Sequence, residues 1–291
     1  MNIVFLIGTG RCGSSLIHEM LSRHENVGFI SNFDDNLHFL DLKGRWNNII
    51  FRTPIGKFTR KGRIRFAPSE AYRLIGRRAS QIYVDPCRDL TDMDVTCDLQ
   101  ARFRDLFLRR YERQGKPLFV HKYTGWSRIR FFSKIFPEAK FIHIVRDGRS
   151  VANSWLQMPW WGGYKGPEKW LWGRLPEEYS REWEKSGKSY IVLAGIAWKI
   201  LIDSYEESSC HLDNEKFLQI RYEDFVENPR SNMDQILSFV SEKWTDKFNV
   251  HFQRQAIRSV GSRSFDKDLT PEQNRLLFNT LESKLSKYGY V

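Results

Sequence analysis

The chain has 291 residues, 41% hydrophobic and 28% charged, with 46 Lys and Arg against 35 Asp and Glu for a formal net charge of +11. That composition excludes a mostly disordered chain, and the length suits one large domain or two small ones. The positive excess favours anionic partners, whether nucleic acid, an anionic membrane surface or a multiply phosphorylated small ligand, and is equally consistent with a solvated basic surface.

The first residues, Met-Asn-Ile-Val-Phe-Leu-Ile, turn at Gly8, too soon for a signal peptide or a membrane span. No later run reaches about 18 apolar residues. Cys12, Cys87, Cys97 and Cys210 form no C-x-x-C pair and no zinc-like spacing with His, which points to a reducing cytoplasm.

Ile3 to Ile7 reads as a buried strand, and Leu16, Ile17, Met20 and Leu21 recur at helical spacing, so the intervening I-G-T-G-R-C-G-S-S joins strand to helix. Residues 33 to 80 mix Arg, Lys, Gly and aromatics without a period and predict loops and short helices. Asp98 to Gln114 predicts a helix with Phe103, Leu106 and Phe107 on its apolar side. P-L-F-V-H-K (117 to 122) and K-F-I-H-I-V-R-D (140 to 147) read as strands. Between them Ile129, Phe132, Ile135 and Phe136 mark a helix that Pro137 stops. Strand, crossover helix and strand imply a parallel sheet. Helical spacing resumes after Gly148, so the turn at Arg146 to Arg149 faces the same sheet end as the first glycine loop, the end where ligands collect.

Residues 155 to 183 carry Trp155, Trp160, Trp161, Trp170, Trp172 and Trp183 among prolines and glycines and read as an irregular insertion or lid. Its tryptophans are either packing or an aromatic platform for an acceptor. Leu193 to Ile200 marks a buried helix face, Phe217 to Arg221 a strand, and Met233 to Val240 a helix. T-P-E-Q (270 to 273) is a capping box opening a helix with a Leu277, Leu281, Leu285 and Tyr288 stripe.

Gly8 and Gly13 have the Walker A spacing, but Ser14 stands where that loop carries its lysine. The loop still offers backbone N–H groups and a helix N-terminus to an anion. Arg11 can fold over that anion, and the Ser14 and Ser15 hydroxyls can donate to it. This arrangement suits a 5′-phosphate or phosphosulfate better than a triphosphate. In the second turn, Arg146 and Ser154 lie about two helical turns apart, where both could grip another phosphate.

Taken together, these motifs resemble those of the sulfotransferases that use 3′-phosphoadenosine 5′-phosphosulfate (PAPS). G-T-G-R-C-G-S-S is similar to the family's 5′-phosphosulfate loop, and I-H-I-V-R-D-G-R-S-V-A-N-S to its 3′-phosphate motif. L-Q-I-R-Y-E-D-F-V-E-N-P (218 to 229) is similar to its Y-E-D-L-x-x-x-P segment, and L-T-P-E-Q with the ending K-Y-G-Y to the last helix of its broad bacterial and tyrosylprotein-type branches. The resemblance covers roughly 1 to 31, 117 to 155 and 216 to 291.

It implies a P-loop NTPase-like three-layer α/β fold with a central parallel β-sheet flanked by helices. The expected organisation is a single domain over 1–291, with variable acceptor-side insertions at about 33–115 and 155–190. The implied donor is PAPS, with 3′-phosphoadenosine 5′-phosphate (PAP) as product and no metal required. By the same resemblance Gly10, Arg11, Cys12, Gly13, Ser14 and Ser15 would hold the phosphosulfate, Arg146 and Ser154 the 3′-phosphate, and Tyr222 the adenine. Lys122 would stabilise the leaving oxygen, with Arg11 assisting. The sulfuryl group would pass in line to a hydroxyl or amine of a carbohydrate, tyrosine, lipid or small metabolite, with no specific nucleic acid partner and no membrane span.

Thr124 stands where the cytosolic branch has its catalytic His, and S-N-F-D-D-N where tyrosylprotein-type members have a Glu. Asp34 or Asp35 is therefore the candidate general base, with His38 and His121 behind them. Both carboxylates read equally well as caps or solvated groups, and His121 as a core histidine. Two other functions stay open on the residues alone: a kinase or nucleotide hydrolase using Asp147 for magnesium, and a non-catalytic binder of polyanions.

Overall fold

A computed structural model describes residues 1–53, 65–85, 87–254 and 264–291. Five strands, β1 (Ile3–Ile7), β2 (Val27–Gly28), β3 (Leu118–Lys122), β4 (Lys140–Val145) and β5 (Phe217–Arg221), form one sheet in the order β2-β3-β1-β4-β5. Every pairing is parallel, with Val4 opposite Val120 on one side and Lys140 on the other. All five residues of I-V-F-L-I are buried, as an apolar strand covered on both faces requires.

Alternation along β1 assigns its residues to two layers. Ile3, Phe5 and Ile7 pack with α5 (Cys97–Gln114) through Phe103, Leu106 and Phe107, and with α6 (Ile129–Ile135) through Phe131 and Phe132. Val4 and Leu6 face the other way, onto α1 (Ser14–Leu21) and the helices after β5, which are α10 (Tyr222–Glu227), α11 (Pro229–Phe239) and α12 (Asp246–Gln253). The expected three-layer α/β fold with a central parallel sheet is the observed one. Part of one outer layer comes from α5, which lies within the first of the expected insertions. Thr96 caps it and Gly115 ends it at φ 58, in the left-handed region glycine tolerates.

Between α1 and α5 run α2 (Asn32–Asn36), α3 (Asn47–Arg52) and α4 (Tyr72–Arg78), the short helices expected of an aperiodic stretch. On the far side, α7 (Gly148–Leu156), α9 (Tyr190–Ser209) and α14 (Pro271–Lys287) enclose a second apolar cluster with Trp155, Trp161, Trp170 and Trp172. The sequence reads 155 to 183 as irregular. The structure instead forms α8 over Glu177–Lys185, begun by Pro176 with Glu177 and Glu178 in its first turn, where negative charge suits the helix dipole. One short helix, α13 (Phe265–Asp268), precedes α14, whose N-terminus carries the expected Thr270 and Gln273 capping box.

Candidate functional site

β1 and β4 are neighbours at the centre of the sheet, so the loops leaving their carboxyl ends meet. Between β1 and α1 the backbone turns left-handed at Gly10 (φ 81), Arg11 (φ 55) and Gly13 (φ 87). Such turns aim successive N–H groups inward and form a nest for an anion. Gly13 admits no side chain, since a Cβ there would overlap the ring of Tyr222. Cys12 turns its thiol into the core beside Gly8, so its offering to the loop is backbone.

Four groups named from the sequence converge on this loop. Arg146, at the end of β4, donates through Nη1 to the Arg11 carbonyl at 3.0 Å, and its guanidinium lies 4.8 Å from the centre of the Tyr222 ring. Arg11 donates through Nε to Ser154 Oγ at 2.9 Å, which fastens the loop to α7. Tyr222 is buried beneath Gly13 and Arg146 and forms part of the platform that holds them. Arg146 Nε is buried without a partner among the described residues, a donor that an anion would satisfy.

A lysine from the end of β3 reaches the loop. Lys122 donates to Ser15 Oγ at 2.7 Å and pairs with Glu70 at 2.9 Å. Thr124 donates to the same Glu70 oxygen at 2.9 Å. Tyr72 donates to the Thr124 carbonyl at 3.3 Å, and burial lifts its phenol well above the ordinary tyrosine range, so it stays protonated. These residues line a cleft of about 690 Å³ together with Arg11, Ser14, Arg128, Arg146 and the tryptophans 126, 155, 160 and 172.

Asp34 and Asp35 lie outside that cleft. Asp34 is buried in the α2 capping box. It accepts from the Ser31 N–H at 2.9 Å, the Ser31 hydroxyl at 2.7 Å and Asn47 Nδ2 at 2.6 Å. Asp35 accepts from the Leu74 N–H at 2.9 Å, at the start of α4. Of the two expected bases, Asp34 closes the capping box with Ser31 three residues before it, and Asp35 takes up a first-turn N–H of α4, so both carboxylates are occupied at helix N-termini. His38 bonds the Asp35 carbonyl at 3.0 Å. His121 points to the sheet face opposite Lys122, edge-on to Phe107 at 5.2 Å, and burial lowers its pKa to about 3, so it is a neutral core residue.

The carboxylate in the cleft is Glu70, and no sequence signal marks it: it stands in an aperiodic link, with no motif of its own. Asp147, which the nucleotide-hydrolase reading assigns to magnesium, caps α7 and pairs with Arg149 at 2.7 Å.

A family model described as "Sulfotransferase family" matches residues 3–246. The chain belongs to the sulfotransferase family. Three solved structures share the fold of this sulfotransferase. STF9 from Mycobacterium avium is 14% identical with a TM-score of 0.57, the match covering 98% of this chain and 76% of that one. The sulfotransferase domain from the curacin biosynthetic pathway is 15% identical with a TM-score of 0.52, covering 97% of each. STF1 from Mycobacterium tuberculosis H37Rv is 10% identical with a TM-score of 0.50, covering 87% and 71%. Among curated proteins no significant sequence match was found. Among the described residues no helix is long and apolar enough to cross a membrane.

Proposed function

We propose that this sulfotransferase takes its sulfuryl group from PAPS and passes it to an acceptor hydroxyl in the tryptophan-lined cleft, with Glu70 as general base. The observation that carries the reading is the convergence of the left-handed loop, Arg146, Lys122 and Glu70 on one cavity. The donor supplies an activated sulfuryl group. The nest at Gly10 to Gly13 and the N-terminus of α1 would hold its phosphosulfate, and Arg146 with Ser154 its 3′-phosphate.

Lys122 bridges the loop and the base, 2.7 Å from Ser15 and 2.9 Å from Glu70. In the transfer, the acceptor oxygen bonds to sulfur, the bond from sulfur to the 5′-phosphate oxygen breaks, and the acceptor proton passes to Glu70. Negative charge gathering on the leaving oxygen draws the Lys122 ammonium toward the loop, which releases Glu70 from its ion pair and makes it a stronger base as the proton moves. Placement and charge stabilisation thus supply most of the effect. The four cysteines are unpaired, which fits a reducing, cytoplasmic setting.

Titration calorimetry with PAP, with ATP and ADP alongside and no magnesium added, tests the donor site. Roughly micromolar PAP binding with weaker ATP is expected. Arg146→Ala should weaken PAP by about tenfold to a hundredfold, the worth of a charge-assisted hydrogen bond. A preference for magnesium-ATP would return the protein to the kinase reading.

A further inference from the structure

Arg128, at the start of α6, is 3% exposed and lines the cleft. Its Nε and Nη1 have no hydrogen-bond partner among the described residues, and Nη2 has a single long bond, 3.4 Å, to the Asp85 carbonyl. Its guanidinium stacks 4.5 Å from the centre of the Tyr83 ring, which satisfies the face of the group, and apart from the pull of the nearby Tyr83 hydroxyl its in-plane N–H donors have only that one long bond among the described residues.

A guanidinium buried this far is costly unless its donors are met. Among the described residues they are met only by the long Asp85 bond. Asp89, the carboxylate whose charge reaches Arg128, accepts instead from Ser127 Oγ at 3.0 Å, Ser204 Oγ at 2.5 Å and the Arg128 backbone N–H at 2.9 Å. Burial also pushes the Asp89 carboxyl above its ordinary pKa. Arg11 sits on the loop after β1 and Arg146 directly after β4, bonded to that loop, whereas Arg128 enters beside Tyr83 and Asp85, so it is a separate cationic point of the cavity. Tyr72, Val84 and Trp126 line the cavity as well and give an apolar wall.

We infer that the acceptor carries an oxyanion besides its hydroxyl, a carboxylate or a phosphate ester, which Arg128 binds while an apolar body lies along Tyr72, Val84 and Trp126 and the hydroxyl meets Glu70. The inference rests on the donor reading above and narrows it. It makes Arg128 a specificity residue of the acceptor side, and it sets neutral alcohols and sterol-like acceptors apart as poor ligands.

The test is binding of 3-(4-hydroxyphenyl)propanoate, of its amide and of phenyl phosphate, read by tryptophan fluorescence with and without PAP. The carboxylate should bind roughly tenfold to a hundredfold more tightly than the amide. Arg128→Gln should level the two, Arg128→Lys should keep most of the difference, and neither should change the affinity for PAP. Tighter binding of phenyl phosphate than of the carboxylate would name the phosphate ester as the oxyanion. Equal binding of acid and amide by the wild-type protein overturns the inference whether or not the variants fold, and normal PAP affinity beside it would leave the donor reading standing. An acid preference that depends on Arg128 in a protein that fails to bind PAP would keep the oxyanion site and sink the donor reading.

Discussion

Glu70 and Asp34 are both acidic and both lie near the first loop's end of the sheet, yet their surroundings give them opposite work. Glu70 shares one oxygen between Lys122 and Thr124 at the wall of an open cleft. Asp34 is enclosed by Ser31 and Asn47 and accepts from a backbone N–H, a hydroxyl and an amide. Glu70→Gln should therefore lower kcat by about a hundredfold to ten-thousandfold while leaving PAP affinity little changed, as steady-state kinetics and calorimetry would show. Retention of full turnover would remove Glu70 from the chemistry. For Asp34→Asn the expectation is reversed. All three donors bond one carboxylate oxygen, so an amide can still accept them but without the charge that strengthens those bonds, and urea denaturation should register a loss of about 1–3 kcal/mol while the pH profile of kcat keeps its shape.

The loop between β1 and α1 acts as a unit, because its three left-handed residues fix where the N–H groups point. Gly13→Ala joins two faults, a methyl at φ 87 and overlap with the Tyr222 ring that also supports Arg146. Calorimetry should find PAP binding lost while far-UV circular dichroism stays that of the folded protein; undiminished binding would mean the loop does not hold the donor. The tryptophan insertion is stabilised differently. Trp172 is buried, with its ring centre 4.8 Å from that of Trp155 and 5.6 Å from that of Trp161. Trp172→Ala should cost about 3–5 kcal/mol, seen as a lower denaturation midpoint. Trp160, 41% exposed at the cleft, should cost little stability when replaced and act on acceptor binding instead.

At the scale of the whole molecule, three histidines are buried neutral. His121 has no hydrogen-bond partner on either ring nitrogen among the described residues, His18 lies against the Val120 backbone, and His143 stacks on Tyr205 at 4.3 Å. Burial lowers all three, His121 to about 3 and His143 to about 4. A histidine lowered in the folded state takes up its proton first in the unfolded chain. Its contribution to stability is complete above the unfolded pKa of about 6.5 and falls as pH drops below it, by about 2 kcal/mol per histidine at pH 5 for His121 and His143. Carboxylates lowered by the fold, such as Asp94 beside Arg88, lose their contribution only at more acidic pH. The melting temperature should therefore decline between pH 6.5 and 5, and His121→Phe should flatten part of that decline if the variant folds; a level melting curve across this window would contradict the buried-neutral account.

Local chemistry carried much of this protein in its sequence. Five consecutive apolar residues before a glycine loop specify a buried strand and the turn after it, and Thr270 with Gln273 specifies a helix start, because strand burial, backbone φ and capping are decided within a few residues. The glycine loop and the turn at Arg146 can be read locally as facing one sheet end, whereas Lys122 is named only through the resemblance to the sulfotransferases. β2 escaped notice, since its two residues are too short to show a period. What only the tertiary structure decided is which charges meet. Glu70 reaches Thr124 across 54 positions, and Arg128 is buried against Tyr83 and Asp85 with Nε and Nη1 left without a hydrogen-bond partner among the described residues. Glu70 stands in no periodic or motif context, and the helical period around Arg128 says nothing of its charge, so their roles are set by the parallel sheet, which delivers β3 beside the loop after β1 and lets distant segments close over the cleft.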